Sequence, residues 1–212
     1  GRSSAQEVPF SDVEDLGALM DALGIRRATV VGLSLGGFIA VDFALARPER
    51  VEALALVGPG ISGGTFDSPE LQAYIEELRA AAIQEDFDGM IHVFTRYWCD
   101  GPYRAPEEVD PGVRSKVLEM LGGSLERWQH DPLGQAQDPP AWERVSEIEA
   151  PTLLVVGSID MPDIQRVAEH LTVEIPSLHR VDIPGVAHMV NMEAPERFNE
   201  VLLDFLDSAR RE

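Results

Sequence analysis

The chain has 212 residues, 44% of them apolar and 25% charged, which suits one packed globular core with a smaller appendage. Its formal charge of −20, from 37 acidic against 17 basic residues, excludes a phosphate-backbone binder, because nucleic-acid recognition needs clustered Lys and Arg. No apolar run is long enough to span a bilayer and no basic start leads into an apolar segment, so a soluble, cytoplasmic protein with no membrane partner is expected.

The first periodic segment is SDVEDLGALMDALGI, where Val13, Leu16, Leu19, Met20 and Leu23 share a helical face. Ser11 and Glu14 predict a capping box at its start, and Gly24 a stop. ATVVG then reads as a buried strand, Leu35 to Arg47 as a helix with Phe38 and Val41 as core residues, and VEALALVG from Val51 as a second strand. From about Gly60 to Glu147 the rhythm changes to amphipathic patches around Leu71 to Ile83, Phe87 to Trp98 and Val113 to Trp128, separated by Gly and Pro clusters. That stretch is too long for a loop and reads as an inserted helical lid. Its aromatics Phe94, Tyr97, Trp98 and Trp128 suit lid core better than a substrate wall. Afterwards the first rhythm resumes: PTLLVVG as strand, Pro162 to Leu171 as helix, LHRVDIPG as strand, and Pro195 to Ser208 as a terminal amphipathic helix. The expected architecture is a three-layer α/β/α sandwich of mostly parallel strands, with a core in residues 1–59 and 148–212 and a lid in 60–147.

Chemistry concentrates just past the strand ends, where open α/β sheets gather their ligands. The pattern Gly32-Leu33-Ser34-Leu35-Gly36 follows the first strand and has the form of a nucleophile elbow. Asp160 follows the third strand and His188 the fourth. A serine hydroxyl needs an imidazole to take its proton, and that imidazole needs a carboxylate to fix its tautomer. The order Ser, Asp, His is the one described for this elbow. Leu35 would offer its backbone N–H to an oxyanion at the helix start, while Gly32, Gly36 and Gly37 would permit close strand-helix approach.

Other candidates are weaker. Asp67 is an alternative acid set in a Gly-rich loop, and Asp163 is a first-turn helix acid favoured by the dipole. His92, His130, His170 and His179 lack metal-ligand spacing and read as packing or surface residues. Cys99 is the single cysteine, so no internal disulfide forms, and it reads as a partly buried thiol. No metal and no cofactor are expected.

Taken together, VVGLSLGGFIA, RPERVEALALVGP, IEAPTLLVVGSID and GVAHMVNMEAPERFNEVLLDFL resemble the α/β-hydrolase superfamily, in particular its lid-bearing esterases, lactonases and related hydrolases. The resemblance implies a serine hydrolase acting on a small-molecule ester or lactone; C–C bond hydrolysis stays open because the lid selects the substrate. It also implies strands ahead of the nucleophile strand, and a second oxyanion donor after one of them. Only about 27 residues precede ATVVG here, so an N-terminally truncated hydrolase is expected, with an exposed strand edge that leaves a homo-oligomer open. On that expectation a non-catalytic binding or interaction module is the alternative.

Overall fold

Val51–Val57 and Thr152–Gly157 are apolar at nearly every position and buried along almost their whole length, as strands covered on two faces must be. In the computed structural model, which describes residues 10–122 and 138–210, they are the inner pair of a four-stranded sheet. The strands β1 (Ala28–Leu33), β2 (Val51–Val57), β3 (Thr152–Gly157) and β4 (Leu178–Ile183) are all parallel and lie side by side in chain order. One line across the sheet runs from Val31 through Ala55 and Leu153 to His179. Among the described residues no strand pairs with the outer side of β1, and Val31 is 48% exposed.

Alternation along β2 and β3 divides the core between two faces. Leu54, Leu56, Leu154 and Val156 point toward α1 (Asp12–Ala22), α2 (Leu35–Ala46) and the helix Pro162–Glu174, meeting Val13, Phe43 and Leu171. Ala55, Val57, Leu153 and Val155 point the other way, onto Phe198, Val201 and Phe205 of the helix Pro195–Ala209. The result is three layers, with the expected strands and flanking helices in place. At α1 the Ser11 hydroxyl accepts from the Glu14 N–H, but the reciprocal half of the capping box is replaced: the Glu14 carboxylate pairs with Arg47 at 2.9 Å.

Between β2 and β3 lie α3 (Pro69–Ile83), α4 (Phe87–Phe94) and α5 (Pro111–Gly122). The sequence pattern predicts one helix from Phe87 to Trp98; instead the chain widens into a π-helical turn over Thr95–Asp100. Such turns recur at functional sites. Residues 123–128 of the expected third helix, including Trp128, and His130 lie outside the described residues. Asp163 anchors this segment. It is 1% exposed and accepts from the Asp67 N–H (2.9 Å), the Ser68 N–H (3.1 Å) and the Ser68 hydroxyl, which in turn caps α3 at Leu71. The first-turn acid of α6 (Pro162–Glu174) thus finds its strongest partners about a hundred residues away, at the entrance to α3. No helix among the described residues is long and apolar enough to cross a membrane.

Candidate active site

β1 ends at Leu33 and α2 begins at Leu35, so Ser34 alone makes the corner. Its φ of 55° and ψ of −115° are unfavourable for a residue with a Cβ, a strain of about 1–3 kcal/mol that persists only where surroundings over-determine it. They do so here. The Ser34 N–H donates to the Val57 carbonyl (2.9 Å), and its own carbonyl accepts from the N–H groups of Phe38 (3.0 Å) and Gly60 (3.2 Å). A Cβ at Gly32 would come within 2.2 Å of the Gly36 carbonyl oxygen, and one at Gly37 within 2.7 Å of the Pro59 Cβ. Gly36 differs from expectation, since a Cβ there would meet nothing within 4 Å and close approach is not what requires its glycine. Leu35 opens α2, where the first N–H groups have no intrahelical acceptor, and its side chain is exposed.

Asp160 and His188 come from the loops after β3 and β4, and the structure brings them together. The His188 Nδ1 lies 2.9 Å from the Asp160 Oδ2, with both side chains almost wholly buried. The second carboxylate oxygen accepts from the Met161 N–H at 2.7 Å. A carboxylate only accepts, so Nδ1 is the donor in this pair and Nε2 is the ring nitrogen left outside it. The two loops are also tied directly: the Ile159 N–H donates to the Val186 carbonyl, and the Gly185 N–H to the Ser158 hydroxyl.

Nε2 of His188 is buried and hydrogen-bonds to no group among the described residues, so Ser34 Oγ is not joined to it. The end of β2 touches both residues. Ser34 is held by Val57, and the next residue, Gly58, packs against the imidazole: a Cβ there would sit 3.1 Å from both the His188 Nδ1 and the Asp160 Oδ2. Gly58 was invisible to motif reasoning, because its constraint comes from loops about a hundred residues further along. Trp98, expected as lid core, packs with Tyr74 and Phe94 of that segment and also tilts its ring against His188 at a centroid separation of 4.6 Å.

The other sequence candidates lie elsewhere. Asp67 is exposed and pairs with Arg166 at 3.1 Å. His170 stacks on Trp142 at 3.7 Å, while His92 and His179 are exposed. Cys99 is fully rather than partly buried. Among the described residues no group of three or more His, Cys, Asp or Glu side chains is placed to hold a metal ion.

With this geometry in view, comparison with known proteins gives a direct result. The model described as the Alpha/beta hydrolase family matches residues 1–201. The chain belongs to the α/β-hydrolase family. It is similar to a 2-hydroxy-6-oxononadienedioate/2-hydroxy-6-oxononatrienedioate hydrolase of Burkholderia vietnamiensis (strain G4 / LMG 22486), with 32% identity over 90% of the chain and 66% of that relative. It therefore spans just under two thirds of that relative's length. Among solved structures, a thermophilic esterase from Thermogutta terrifontis superposes with a TM-score of 0.77 at 26% identity, over 99% of this chain and 76% of that one. Est816, described as an N-acyl homoserine lactone degrading enzyme, gives a TM-score of 0.68 at 28% identity, over 97% of this chain and 78% of that one. The three-layer parallel sheet is the α/β-hydrolase fold.

Proposed function

We propose that this chain is a serine hydrolase of carboxylic esters or lactones, with Ser34 as nucleophile, His188 as general base and then acid, and Asp160 as the carboxylate that holds the ring. The observation that carries the reading is the His188 ring itself: it is fixed through Nδ1 by Asp160, while its Nε2 is desolvated and free to accept. In the reaction Ser34 Oγ attacks the carbonyl carbon as Nε2 takes the hydroxyl proton; the Leu35 N–H steadies the developing oxyanion. The imidazolium then protonates the leaving alkoxide, and a water deprotonated by the same nitrogen releases the acid and restores Ser34. A Ser–His bond is often long before substrate binds and tightens in the complex. The helical segment between β2 and β3, with Trp98 against His188, acts as the lid of this site.

The test is labelling with a fluorophosphonate together with turnover of p-nitrophenyl acetate. Stoichiometric modification of the parent is expected, with none in Ser34→Ala. Equal labelling of both chains would discard Ser34. A second reading, hydrolysis of a C–C bond by the same residues, draws support from the 32% identical relative, whose named substrates are oxo-diacids without an ester link. Product analysis with a vinylogous 1,5-diketo acid against a simple ester separates the two.

A further inference from the structure

Glu193 belongs to the sequence run after His188, yet the proposed mechanism gives it no task. Its side chain is 7% exposed, and its two oxygens face different elements. Oε1 accepts from the N–H of Ala187, the residue before His188, at 3.0 Å. Oε2 pairs at 2.7 Å with Nη1 of Arg104, which lies in the segment between β2 and β3 and is itself 13% exposed. The Arg104 guanidinium uses its whole fork: Nε donates to the Asp100 carbonyl (2.8 Å), Nη2 to the Cys99 carbonyl (3.0 Å), and Nη1 also to the carbonyl of Gly185 (3.2 Å). Arg104 therefore grips the histidine loop at Gly185 directly and at Ala187 through Glu193.

Packing follows the same route. Gly101 has a φ of +81°, and a Cβ there would lie 2.8 Å from the Ala187 Cβ. Met189 and Met192, which follow His188 in the chain, pack against the cluster that holds Cys99, and Trp98 lies against the ring. A buried ion pair is a poor device for stability alone, since apolar residues of the same volume often do as well; its strength is fixed geometry.

We propose that Arg104 and Glu193 are positioning residues that hold the His188 loop in its reactive register by clasping it to the lid. This inference rests on the serine-hydrolase reading. Asp160 sets the tilt of the imidazole, whereas the clasp sets where along the loop the ring stands relative to Ser34. A shift of about 1 Å at such a distance costs up to roughly a hundredfold in rate.

The experiment is active-site titration with a fluorophosphonate, paired with p-nitrophenyl acetate kinetics, on the whole chain and on Arg104→Met, Arg104→Lys and Glu193→Gln. Arg104→Met and Glu193→Gln are expected to lower kcat per titrated site about ten- to a hundredfold with KM nearly unchanged. Arg104→Lys, which keeps the charge opposite Glu193 but not the fork that reaches Cys99, Asp100 and Gly185, should recover only part of the loss. Should Arg104→Met fail to fold, Glu193→Gln and Arg104→Lys decide the question. Fewer titratable sites, each with the parent's rate, would mean the clasp only supports folding and would overturn the inference. So would an effect confined to KM. A parent labelled at Ser34, with variants labelled at the parent's rate, sinks the clasp alone; a parent that is never labelled at Ser34 sinks the hydrolase reading and the clasp with it.

Discussion

Gly58→Ala isolates the contact that brings β2 against the imidazole. Gly58 has a φ of +45°, so any side chain there pays the left-handed penalty, and its Cβ would additionally stand 3.1 Å from the His188 Nδ1, 3.2 Å from Cε1 and 3.1 Å from the Asp160 Oδ2. The backbone part is about 1–2 kcal/mol, or a Tm fall of roughly 2–8 °C for a chain this size. The steric part must be relieved by moving the ring or the carboxylate a few tenths of an ångström, which is expected to lower kcat about tenfold. Gly24→Ala is the control, because Gly24 has a φ of +68° with nothing within 4 Å of its would-be Cβ. The assay measures Tm and kcat per fluorophosphonate-titrated site for both variants. Similar Tm losses are expected, with kcat reduced only in Gly58→Ala. A Gly58→Ala chain with the parent's kcat would refute the claim that this close approach sets the position of His188.

Further outcomes concern the core and the buried ionisable groups. Leu154→Ala empties a fully buried site between the sheet and its helices and should cost about 2–5 kcal/mol by denaturant unfolding, whereas Leu203→Ala, 60% exposed, should stay within about 0.5 kcal/mol. Burial, reinforced by the charges of Asp100 and Glu193, pushes the Cys99 thiol up to about 11. Iodoacetamide at about pH 8 should therefore leave native Cys99 unmodified and alkylate it on unfolding, and rapid modification of the folded chain would contradict this. Burial also raises the Asp42 carboxyl above its ordinary 3.8, only partly offset by the Ser62 hydroxyl that donates to it. A carboxyl raised on folding favours the native state below its unfolded value and loses that contribution as pH climbs through the folded one. Asp42→Asn keeps an acceptor for Ser62, so its Tm should gain on the parent's from about pH 4 to pH 7, and a variant that loses ground over that range would be the contrary result.

The strands were legible because β2 and β3 are apolar on both faces, a pattern that no surface element shares. Asp160 and His188 were legible for a related reason: each follows a recognisable strand by a few residues, and the fold directs such positions to one rim. What escaped the sequence depends on partners far along the chain. Arg104 meets Gly185 across 81 positions and Asp163 meets Ser68 across 95, and nothing local to either residue signals the contact. The π-helical turn at Thr95–Asp100 escaped because apolar spacing alone does not distinguish a widened turn from a regular one. Gly36 failed in the opposite sense: its place in the motif suggested crowding, and the space around it is open.

Because the strands lie side by side in chain order, β1 and β4 are separated by the full width of β2 and β3. At about 4.8 Å per strand the serine corner and the root of the histidine loop start roughly 14 Å apart. No single loop spans that width, and the imidazole comes to lie against Gly58, at the end of β2. The acid loop supplies a pier part-way across and the histidine loop is cantilevered from it, so the reach of residues 184–187, more than the identity of any strand residue, sets how far the imidazole extends toward the corner.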